Sequence, residues 1–504
     1  MQEYIVGLNK DVDYNAFWNE IQTTTNGLTY IPDRAVNIAN ERKGSQRLTH
    51  YTLSDSEAEL LKNDPRVYCV EIPPSERDDI SIEVMSIQTS TFPKNATNDG
   101  ANSNWGLVRS ISKNNNFGLN PESGDKYLYT LDGTGVDIVI QDSGVQTDHP
   151  EFNGRVENID WYAASGIAGT QNANHNRDYF GHGTHVAGIA AGKTFGWGKN
   201  AKILSQKIKG LEGTGDENTG IPESDGFDCI RLWHAAKSGS RPTVVNMSWG
   251  YYSRITPSKV NYRGTYYSSS YANYGLMGES GGSYRFPVRV ASTDIEIQEM
   301  IDAGIHVVTS AGNDYTKIDI PGGNDYDNYI SSSTGNVYYY HRGGSPHDDE
   351  AISVGNLYSA SYDANTDSKN WSSNCGPAVD LYAPGTNILS SVSTVCAMSS
   401  DTGSYFADNN YKQMTLSGTS MASPQVAGYL SLVLQVNPSA TPDSVKQSLI
   451  NNCGDALYSS NQDNDYSNHD SIKGSEKRIL FNKFGNSEIP LKFNLPINAN
   501  ISLK

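Results

Sequence analysis

The stretch VDIVIQDSG at residues 136–144 is an apolar run that ends in a carboxylate and a turn. Continuous apolar runs of this length are typical of strands buried on both faces, as in parallel sheets. Asp142 follows the run directly, and open α/β sheets place their active sites beyond the C-terminal ends of their strands. The stretch therefore predicts a parallel sheet with Asp142 at the edge where a site would lie. Taken alone, Asp142 is equally consistent with an ordinary turn residue.

The chain from Asn104 onward alternates strand-like and helix-like patterns. Residues 244–247 and 305–308 are further apolar runs, and Thr293 with Glu296 predicts a capping box for the helix before the second run. Strands that alternate with helices in this way indicate a parallel α/β sheet. We therefore predict a doubly wound, mainly parallel sheet with flanking helices over residues 104–485.

The first 74 residues have a separate pattern. In order, they predict a strand near residues 4–8, a helix capped by Asp13, a strand near residues 50–53, a helix that begins with a capping box at Ser54, and a strand at residues 67–72. This order of elements is typical of a small ferredoxin-like α+β domain.

Five further segments are polar or irregular. Residues 75–103 are rich in Ser, Thr, Asn and Asp and predict an exposed linker, and residues 486–504 predict a C-terminal tail with an edge strand. Three segments interrupt the α/β pattern and are interpreted as long loop insertions, namely the tyrosine-rich residues 251–290, residues 314–350 and residues 395–413. Long loops in a compact domain are usually functional or disordered.

The composition argues against some classes of partner. With 38 basic and 56 acidic residues, the formal net charge is −18, whereas nucleic acids and anionic membranes attract basic patches. We therefore expect neither a nucleic acid nor a membrane as a partner. The chain opens without a basic region followed by a long apolar core, so we expect no signal peptide and a soluble, cytoplasmic product on synthesis.

Ser420 is a candidate nucleophile. It lies in LSGTSMASP at residues 416–424, and the residues that follow are apolar on nearly every face of a helix. This pattern predicts a buried central helix with Ser420 in its first turn, where backbone N–H groups and the helix dipole favour negative charge. The alternative is that Ser420 is a helix cap. A serine hydroxyl is a poor nucleophile unless a base activates it.

His182 is the candidate base. It lies in GHGTHVAG at residues 181–188, where small residues allow a helix to pack closely on the sheet. In a serine peptidase a histidine takes the proton of the serine and a buried carboxylate orients the histidine, and Asp142 is the candidate for the second role. His185 is expected to be a packed or hydrogen-bonded helix residue.

Asn313 is a candidate donor to the oxyanion that forms during acyl transfer. It lies in SAGN at residues 310–313, just after the predicted strand at 305–308. Its amide could act together with the backbone N–H of Ser420. Each candidate has an ordinary structural alternative, but Asp142, His182, Asn313 and Ser420 together, in this order, indicate a serine peptidase.

The motifs DSG, HGTHVAG, AGN and GTSMASP resemble those of the subtilisin-like serine proteases, also called subtilases or peptidase family S8. Residues 104–107 and 192–196 resemble the proteinase K branch, and the short segment 192–196 lacks the longer calcium-binding loop of subtilisin. Residues 1–74, which begin with YIVG at 4–7 and end with VYCVE at 67–71, resemble the inhibitor-I9-like prodomain of such proteases.

The resemblance implies a serine endopeptidase that acts on proteins and peptides through an Asp-His-Ser triad and an acyl-enzyme. It also implies a self-inhibited, autoprocessed precursor whose own prodomain is an intramolecular inhibitor, with cleavage within residues 75–103. The segment Ser248, Trp249 and Gly250 matches the one that pairs with the substrate backbone and forms one wall of the S1 pocket. Ala311 and Gly312 match the opposite wall.

Asp380 matches a calcium-ligand position of the proteinase K branch, whose partner carbonyls would lie within residues 314–350. The resemblance therefore makes structural calcium at Asp380 an expectation, whereas catalysis needs no cofactor.

Two other interpretations stay open at this stage. A binding or structural protein could keep the same scaffold without turnover. The lack of a visible export signal, the acidic composition and the tyrosine-rich segment would also suit a virion-associated protease, or one exported by another route. Residues 251–290 either rim the substrate cleft or form a solvated loop.

Overall fold

The computed structural model describes residues 1–23, 27–84, 87–88, 104–115, 127, 129–279, 281–332, 335–363, 365–398, 402–460 and 471–484. The predicted C-terminal tail lies outside these residues, as does most of the predicted linker. Among the described helices, none has the length and apolar character that a membrane crossing requires.

Residues 1–71 form an N-terminal unit with its own core. Its elements are β1 (Gln2–Leu8), α1 (Tyr14–Ile21), β2 (Asn37–Asn40), β3 (Leu48–Leu53), α2 (Asp55–Leu61) and β4 (Val67–Glu71). The strands form an antiparallel sheet in the order β2-β3-β1-β4. The side chain of Asp13 caps α1, and Ser54 and Glu57 form the predicted capping box of α2. These caps satisfy backbone N–H groups that the first turn of a helix leaves without partners.

The remaining α-helices and strands lie between Ser81 and Asn452. They are β5 (Ser81–Val84), β6 (Ile87–Gln88), α3 (Trp105–Arg109), β7 (Asp137–Asp142), β8 (Val156–Glu157), α4 (Trp161–Ser165), α5 (His182–Ala191), β9 (Lys202–Lys207), α6 (Glu223–Ala236), β10 (Thr243–Met247), β11 (Trp249–Ile255), β12 (Lys259–Tyr262), β13 (Thr265–Tyr267), β14 (Met277–Gly278), β15 (Tyr284–Pro287), α7 (Ala291–Asp302), β16 (His306–Ser310), β17 (Tyr329–Ser331), β18 (Val337–Tyr339), β19 (Ile352–Ser361), β20 (Asp367–Lys369), β21 (Leu381–Pro384), β22 (Ile388–Val392), β23 (Gly403–Tyr405), β24 (Asp408–Ser417), α8 (Thr419–Val436) and α9 (Pro442–Asn452).

The central sheet has the order β20-β19-β16-β10-β7-β9-β8, and β21 also pairs with β19. All of these pairs are parallel except that of β19 with β20. Successive side chains of a strand point to opposite faces, so Val245 packs with the cluster that contains residues of α6 and α7, and Val244 with the cluster that contains residues of α8. The predicted doubly wound α/β fold is therefore confirmed.

The start of α7 differs from the prediction. The helix begins at Ala291, two residues before Thr293, and its N-cap residue makes no side-chain cap. The carboxylate of Glu71, at the end of β4, instead accepts a hydrogen bond of 2.6 Å from the backbone N–H of Ser292. The predicted capping box of Thr293 and Glu296 is therefore wrong, because Glu71 of the N-terminal unit accepts from the first turn of the helix instead.

The three predicted loop insertions contain strands. Residues 251–290 and 314–350 pair with each other in the sheet β13-β12-β17-β18, and residues 395–413 hold β23 and the beginning of β24. Tyrosine suits a pleated, half-buried surface, and Tyr251, Tyr252 and Tyr340 are buried. The loop interpretation is therefore wrong for the residues of these strands, whereas most described residues of 314–350 lie outside helices and strands.

Candidate active site

Asp142 and His182 lie together at the C-terminal end of the central strand β7. Asp142 is the last residue of β7 and His182 is the first residue of α5. The Nδ1–H of His182 donates a hydrogen bond of 2.8 Å to Oδ1 of Asp142, and both side chains are buried. A carboxylate at Nδ1 fixes the tautomer that leaves Nε2 with its lone pair.

Asp178 is a buried residue that the sequence analysis missed. Its Oδ1 accepts hydrogen bonds from the hydroxyl of Ser143 and the backbone N–H of Gly181, at 2.8 and 2.7 Å. Its Oδ2 accepts from the backbone N–H and hydroxyl of Thr184, at 2.8 and 2.6 Å. Burial raises the pKa of Asp178. Asp178 thus joins the turn after Asp142 to the first turn of the histidine helix, and an aspartate just before a helix is the signal that could have identified it.

Ser420 is the second residue of α8 and is buried. Its hydroxyl donates a hydrogen bond of 2.8 Å to the backbone carbonyl of Ser248. Within the described part of the chain, Nε2 of His182 has no hydrogen-bond partner. The structure thus places the hydroxyl of Ser420 on Ser248 rather than on His182.

The helices that carry Ser420 and His182 pack against each other. Met421 and Val186 belong to one apolar cluster, and a Cβ added at Gly428 would lie 2.4 Å from the carbonyl oxygen of Ala190. Gly428 and Ala190 each lie eight residues beyond the candidate residue of their helix. The lack of a side chain at Gly428 allows this close approach.

Asn313 lies in the loop after β16 and is tied to the first residue of α8. Its side-chain Oδ1 accepts hydrogen bonds of 3.0 and 3.2 Å from the backbone N–H and the hydroxyl of Thr419. The backbone N–H of Gly312 donates to the same hydroxyl at 3.2 Å. Because Oδ1 of Asn313 accepts from Thr419, the NH₂ group of the same amide points elsewhere and can act as a donor.

The two predicted S1 walls follow neighbouring parallel strands, because β10 pairs with β16. The hydroxyl of Ser248 donates to the backbone carbonyl of Ser420 at 3.0 Å. Trp249 and Gly250 begin β11. Both walls are therefore joined to the first turn of α8, one through Ser248 and one through Gly312 and Thr419.

Asn374 is a second residue that the sequence analysis missed. Its side-chain NH₂ donates a hydrogen bond of 2.9 Å to the carbonyl oxygen of Ala311, and its Oδ1 accepts from the backbone N–H groups of Asp314 and Thr316, each at 2.9 Å. Gly312 has φ +100°, and a Cβ there would lie 2.4 Å from Nδ2 of Asn374. No local pattern in the sequence links Asn374 to the wall at 311–312.

His185 is a helix residue held by a hydrogen bond, as expected. Its Nε2–H donates to the carbonyl oxygen of Met414 at 3.0 Å. Burial lowers the pKa of His185 to about 3. The imidazole is therefore neutral at physiological pH.

Residues 81–84 and 87–88 of the same chain pair with the two edges beside Ser420. On one side β5 pairs antiparallel with β11, so that Val84 lies opposite Trp249 and Glu83 opposite Gly250. On the other side β6 pairs antiparallel with β24, with Ile87 opposite Ser417. These six residues, predicted as part of an exposed linker, therefore form two strands, in which Ser81 is exposed.

Ile82 fixes the position of β5 further. A Cβ added at Gly210 would lie 2.2 Å from Cγ2 of Ile82. Ile82 is partly buried against the cluster that contains Tyr251. The described chain segment therefore lies between β11 on one side and Gly210 on the other.

The N-terminal unit docks on α6 and α7 through buried charges. Arg42, with its side chain 2% exposed, donates to Asp228 at 3.0 Å and also pairs with Glu296. Its Nη1 donates to Nε2 of His50 at 3.2 Å. Arg231 of α6 pairs with Glu296 at 2.8 Å and with Asp228. The two arginines thus share the same two carboxylates.

Asp380 lies outside this site, just before β21. Its Oδ2 accepts hydrogen bonds from the backbone N–H of Ser353 and from the ammonium of Lys446, each at 2.9 Å. Among the described residues, no group of three or more His, Cys, Asp or Glu side chains could hold a metal ion.

Residues 133–485 match the Subtilase family model. A subtilisin-like serine protease of Penicillium citrinum is 29% identical over 361 residues, which are 69% of this chain and 60% of the relative. One of Cochliobolus lunatus is 30% identical over 362 residues, which are 69% of this chain and 54% of the relative. The chain thus spans 54–60% of the length of these two curated relatives.

A similar solved structure is fervidolysin from Fervidobacterium pennivorans, described as a keratinolytic enzyme related to subtilisin. The two share a TM-score of 0.52 at 18% identity, and the match covers 94% of this chain and 60% of that chain. At this identity the likeness concerns the fold. Because the family model matches residues 133–485 of 504, the chain belongs to the subtilase family.

Proposed function

We propose that this chain is a serine endopeptidase, with Ser420 as nucleophile, His182 as general base and Asp142 as the residue that orients the histidine. The observation that carries the proposal is the buried bond of 2.8 Å between Nδ1 of His182 and Asp142. It leaves Nε2 as the basic position, in a helix that packs against the helix of Ser420.

The reaction begins with a rotation of the Ser420 side chain. Its hydroxyl leaves the carbonyl of Ser248 and donates to Nε2 of His182, a change between staggered rotamers. Catalytic hydrogen bonds are often incomplete before substrate is in place. As the Ser420 oxygen bonds to the carbonyl carbon of the substrate, its proton passes to Nε2 of His182, and Asp142 stabilises the resulting imidazolium.

The oxyanion of the tetrahedral intermediate is stabilised by two donors, the backbone N–H of Ser420 and the amide NH₂ of Asn313. Thr419 holds the oxygen of that amide, so the donor end is already oriented before the reaction. When the C–N bond breaks, His182 gives its proton to the leaving amine and an acyl-enzyme remains. A water molecule then attacks the ester, His182 takes its proton and returns it to Ser420, and the carboxylic acid product leaves.

Proteins and peptides are the proposed substrates, bound as extended strands. The edges of β11 and β24 beside Ser420 pair with backbone, as their pairing with residues 81–84 and 87–88 illustrates. Recognition through main-chain hydrogen bonds places little demand on side chains. We therefore propose a broad specificity, with Ser248, Trp249 and Gly250 as one wall of the S1 pocket and Ala311 and Gly312 as the other.

The N-terminal unit is proposed to act as an intramolecular inhibitor that the enzyme cuts from itself. Between the described strands β5 and β6 stand only Met85 and Ser86. The bond cut would thus be one of the three between Val84 and Ile87. Ser420 is buried while these strands are in place, so other substrates gain access only after they leave.

The test combines N-terminal sequencing with a fluorophosphonate probe on purified full-length protein. We expect the parent chain to produce a new N-terminus between residues 85 and 87 and then to react with the probe at Ser420. The Ser420→Ala variant should remain intact and unlabelled, because the nucleophile is missing.

Ser431→Ala is the matched control, because Ser431 lies in the same helix and its hydroxyl is bonded within that helix, to the carbonyl of Gly428. This variant should be cut and labelled like the parent. Cleavage of Ser420→Ala at the same bond would contradict self-processing. A cut parent chain that takes up no probe would contradict the peptidase proposal and favour a scaffold without turnover.

A further inference from the structure

Three oxygen atoms from two segments of the chain converge on the ammonium group of Lys446. Lys446 lies in α9, and its Nζ donates to the carbonyl oxygen of Asp349 at 2.7 Å, to that of Ala351 at 2.6 Å and to Oδ2 of Asp380 at 2.9 Å. An ammonium group has three N–H donors. Each donor therefore has one acceptor, and the residue is only 8% exposed.

Calcium does not fit at Asp380 while Lys446 is in place. The sequence analysis expected a calcium ion bound by Asp380 and by carbonyls of residues 314–350, and the carbonyl of Asp349 does lie beside Asp380. Calcium takes six to eight oxygen ligands at about 2.3–2.6 Å. The centre of these oxygens is occupied by a nitrogen that already carries a positive charge, so an ion placed there would overlap it and be repelled by it.

The side chain of Asp349 does not restore a metal site. It is 81% exposed and lies 3.6 Å from Nε2 of His347, and His347 lowers the pKa of its carboxyl. Among the described residues, Asp380 supplies the one carboxylate that pairs with the ammonium, and one positive charge balances it. A divalent ion at this place would leave an excess positive charge in a largely buried position, which is costly.

We propose that Lys446 is a built-in replacement for a structural calcium ion. It joins α9 to the chain just before β19 and to Asp380 just before β21. The strand β19 pairs with β16, with Ser310 opposite Val354, and the backbone N–H of Ala311 donates to the carbonyl of Val354 at 3.0 Å. The lysine thus holds the strand that supports the wall at 311–312, without a metal.

The test measures the unfolding temperature of the full-length chain in excess EGTA and in 10 mM calcium, in a Ser420→Ala background that prevents self-digestion. We expect the parent to unfold at the same temperature in both buffers, to within about 1 °C. Lys446→Ala removes the charge and opens space, so in EGTA its unfolding temperature should fall by roughly 5–10 °C. Calcium should restore a substantial part of that loss, because the three oxygens then face an empty space.

Two further variants are matched controls. Lys446→Met removes the charge but keeps most of the side-chain volume, so it should be destabilised and should not respond to calcium. The double variant Lys446→Ala/Asp380→Ala should also show no response, because the carboxylate is missing. If Lys446→Ala yields no folded protein, Lys446→Val replaces it, since its side chain ends at Cγ, well short of the position of Nζ, and leaves room for an ion.

Two results would overturn the proposal. One is a parent chain that loses stability in EGTA through Asp380, so that Asp380→Asn abolishes the difference between the buffers. The other is a folded Lys446→Ala or Lys446→Val variant whose unfolding temperature does not change with calcium.

Discussion

The N-terminal unit and the two strands that follow it contact the rest of the molecule in chemically different ways. In the cleft, residues 81–84 and 87–88 pair through their backbones with β11 and β24. On α6 and α7, Arg42 enters a buried group of charged side chains. Backbone pairing accepts many sequences, whereas a buried arginine needs particular carboxylates around it.

The two contacts are therefore expected to respond differently to self-cleavage. In the proposed self-cleavage, a cut between Val84 and Ile87 separates β5 from β6, so that the pairing in the cleft is divided between two chains. The contact through Arg42 lies in the first 74 residues, so cleavage between Val84 and Ile87 leaves it unchanged. We therefore expect the N-terminal unit to remain bound after cleavage, and the predictions below test the two contacts separately.

The largest effect is expected for Arg42→Ala. Removal of one partner from a buried ionic group typically costs about 3–5 kcal/mol, so the dissociation constant of the cut N-terminal unit should rise by a factor of roughly 10² to 4 × 10³. The measurement is peptidase activity after self-cleavage over a dilution series, since activity appears as the unit dissociates.

Arg34→Ala is the matched control for this prediction. Arg34 pairs with Glu57 at 2.6 Å within the N-terminal unit and should leave the dissociation constant nearly unchanged. An Arg42→Ala protein that dissociates like the parent would show that the buried charges around Arg42 do not hold the unit.

Asn313→Ala should affect catalysis and not docking. Loss of one oxyanion donor lowers kcat by roughly 10²- to 10³-fold, and self-cleavage should slow by a similar factor. Asn313→Asp keeps an oxygen that can accept from Thr419 but has no amide donor, so it should lose activity to a similar extent. Full activity in Asn313→Asp, measured on a peptide substrate, would contradict the assigned role.

The smallest effect is expected for Ile82→Ala. Ile82 is partly buried against Gly210 and the cluster of Tyr251, and the loss of its apolar surface is worth about 1–1.5 kcal/mol. Self-cleavage, measured as loss of intact chain over time, should therefore slow by roughly 10-fold. Ser81→Ala, at an exposed neighbouring position, should slow it less than 2-fold. Equal rates for both variants would mean that the side chain of Ile82 does not contribute to self-cleavage.

Short motifs at strand and helix ends allowed much of the site to be located from the sequence. Asp142 ends a buried strand, His182 begins a helix and Ser420 lies in the first turn of another, as the local patterns predict. Such patterns depend on neighbours in the chain, so one sequence is enough to detect them. The roles of these residues in catalysis remain predictions.

Other features depend on partners far apart in the chain, which no local pattern reveals. The strand β12, which lies in the tyrosine-rich segment, pairs with β17, about 70 residues later. Glu71 caps a helix that begins 220 positions later. Lys446 is an ordinary helix lysine in the sequence, and only folding brings it to Asp380.

The strands that enter the cleft belong to the same molecule as the cleft. Dilution cannot separate a bond from an enzyme to which it is covalently joined, so the local concentration of that bond is set by the fold and not by the amount of protein. For the proposed self-cleavage, the first cut would follow first-order kinetics, with a half-time that is the same in dilute and in concentrated solution. Each molecule would then be activated at a rate set by its own fold, without cleavage by an already active copy.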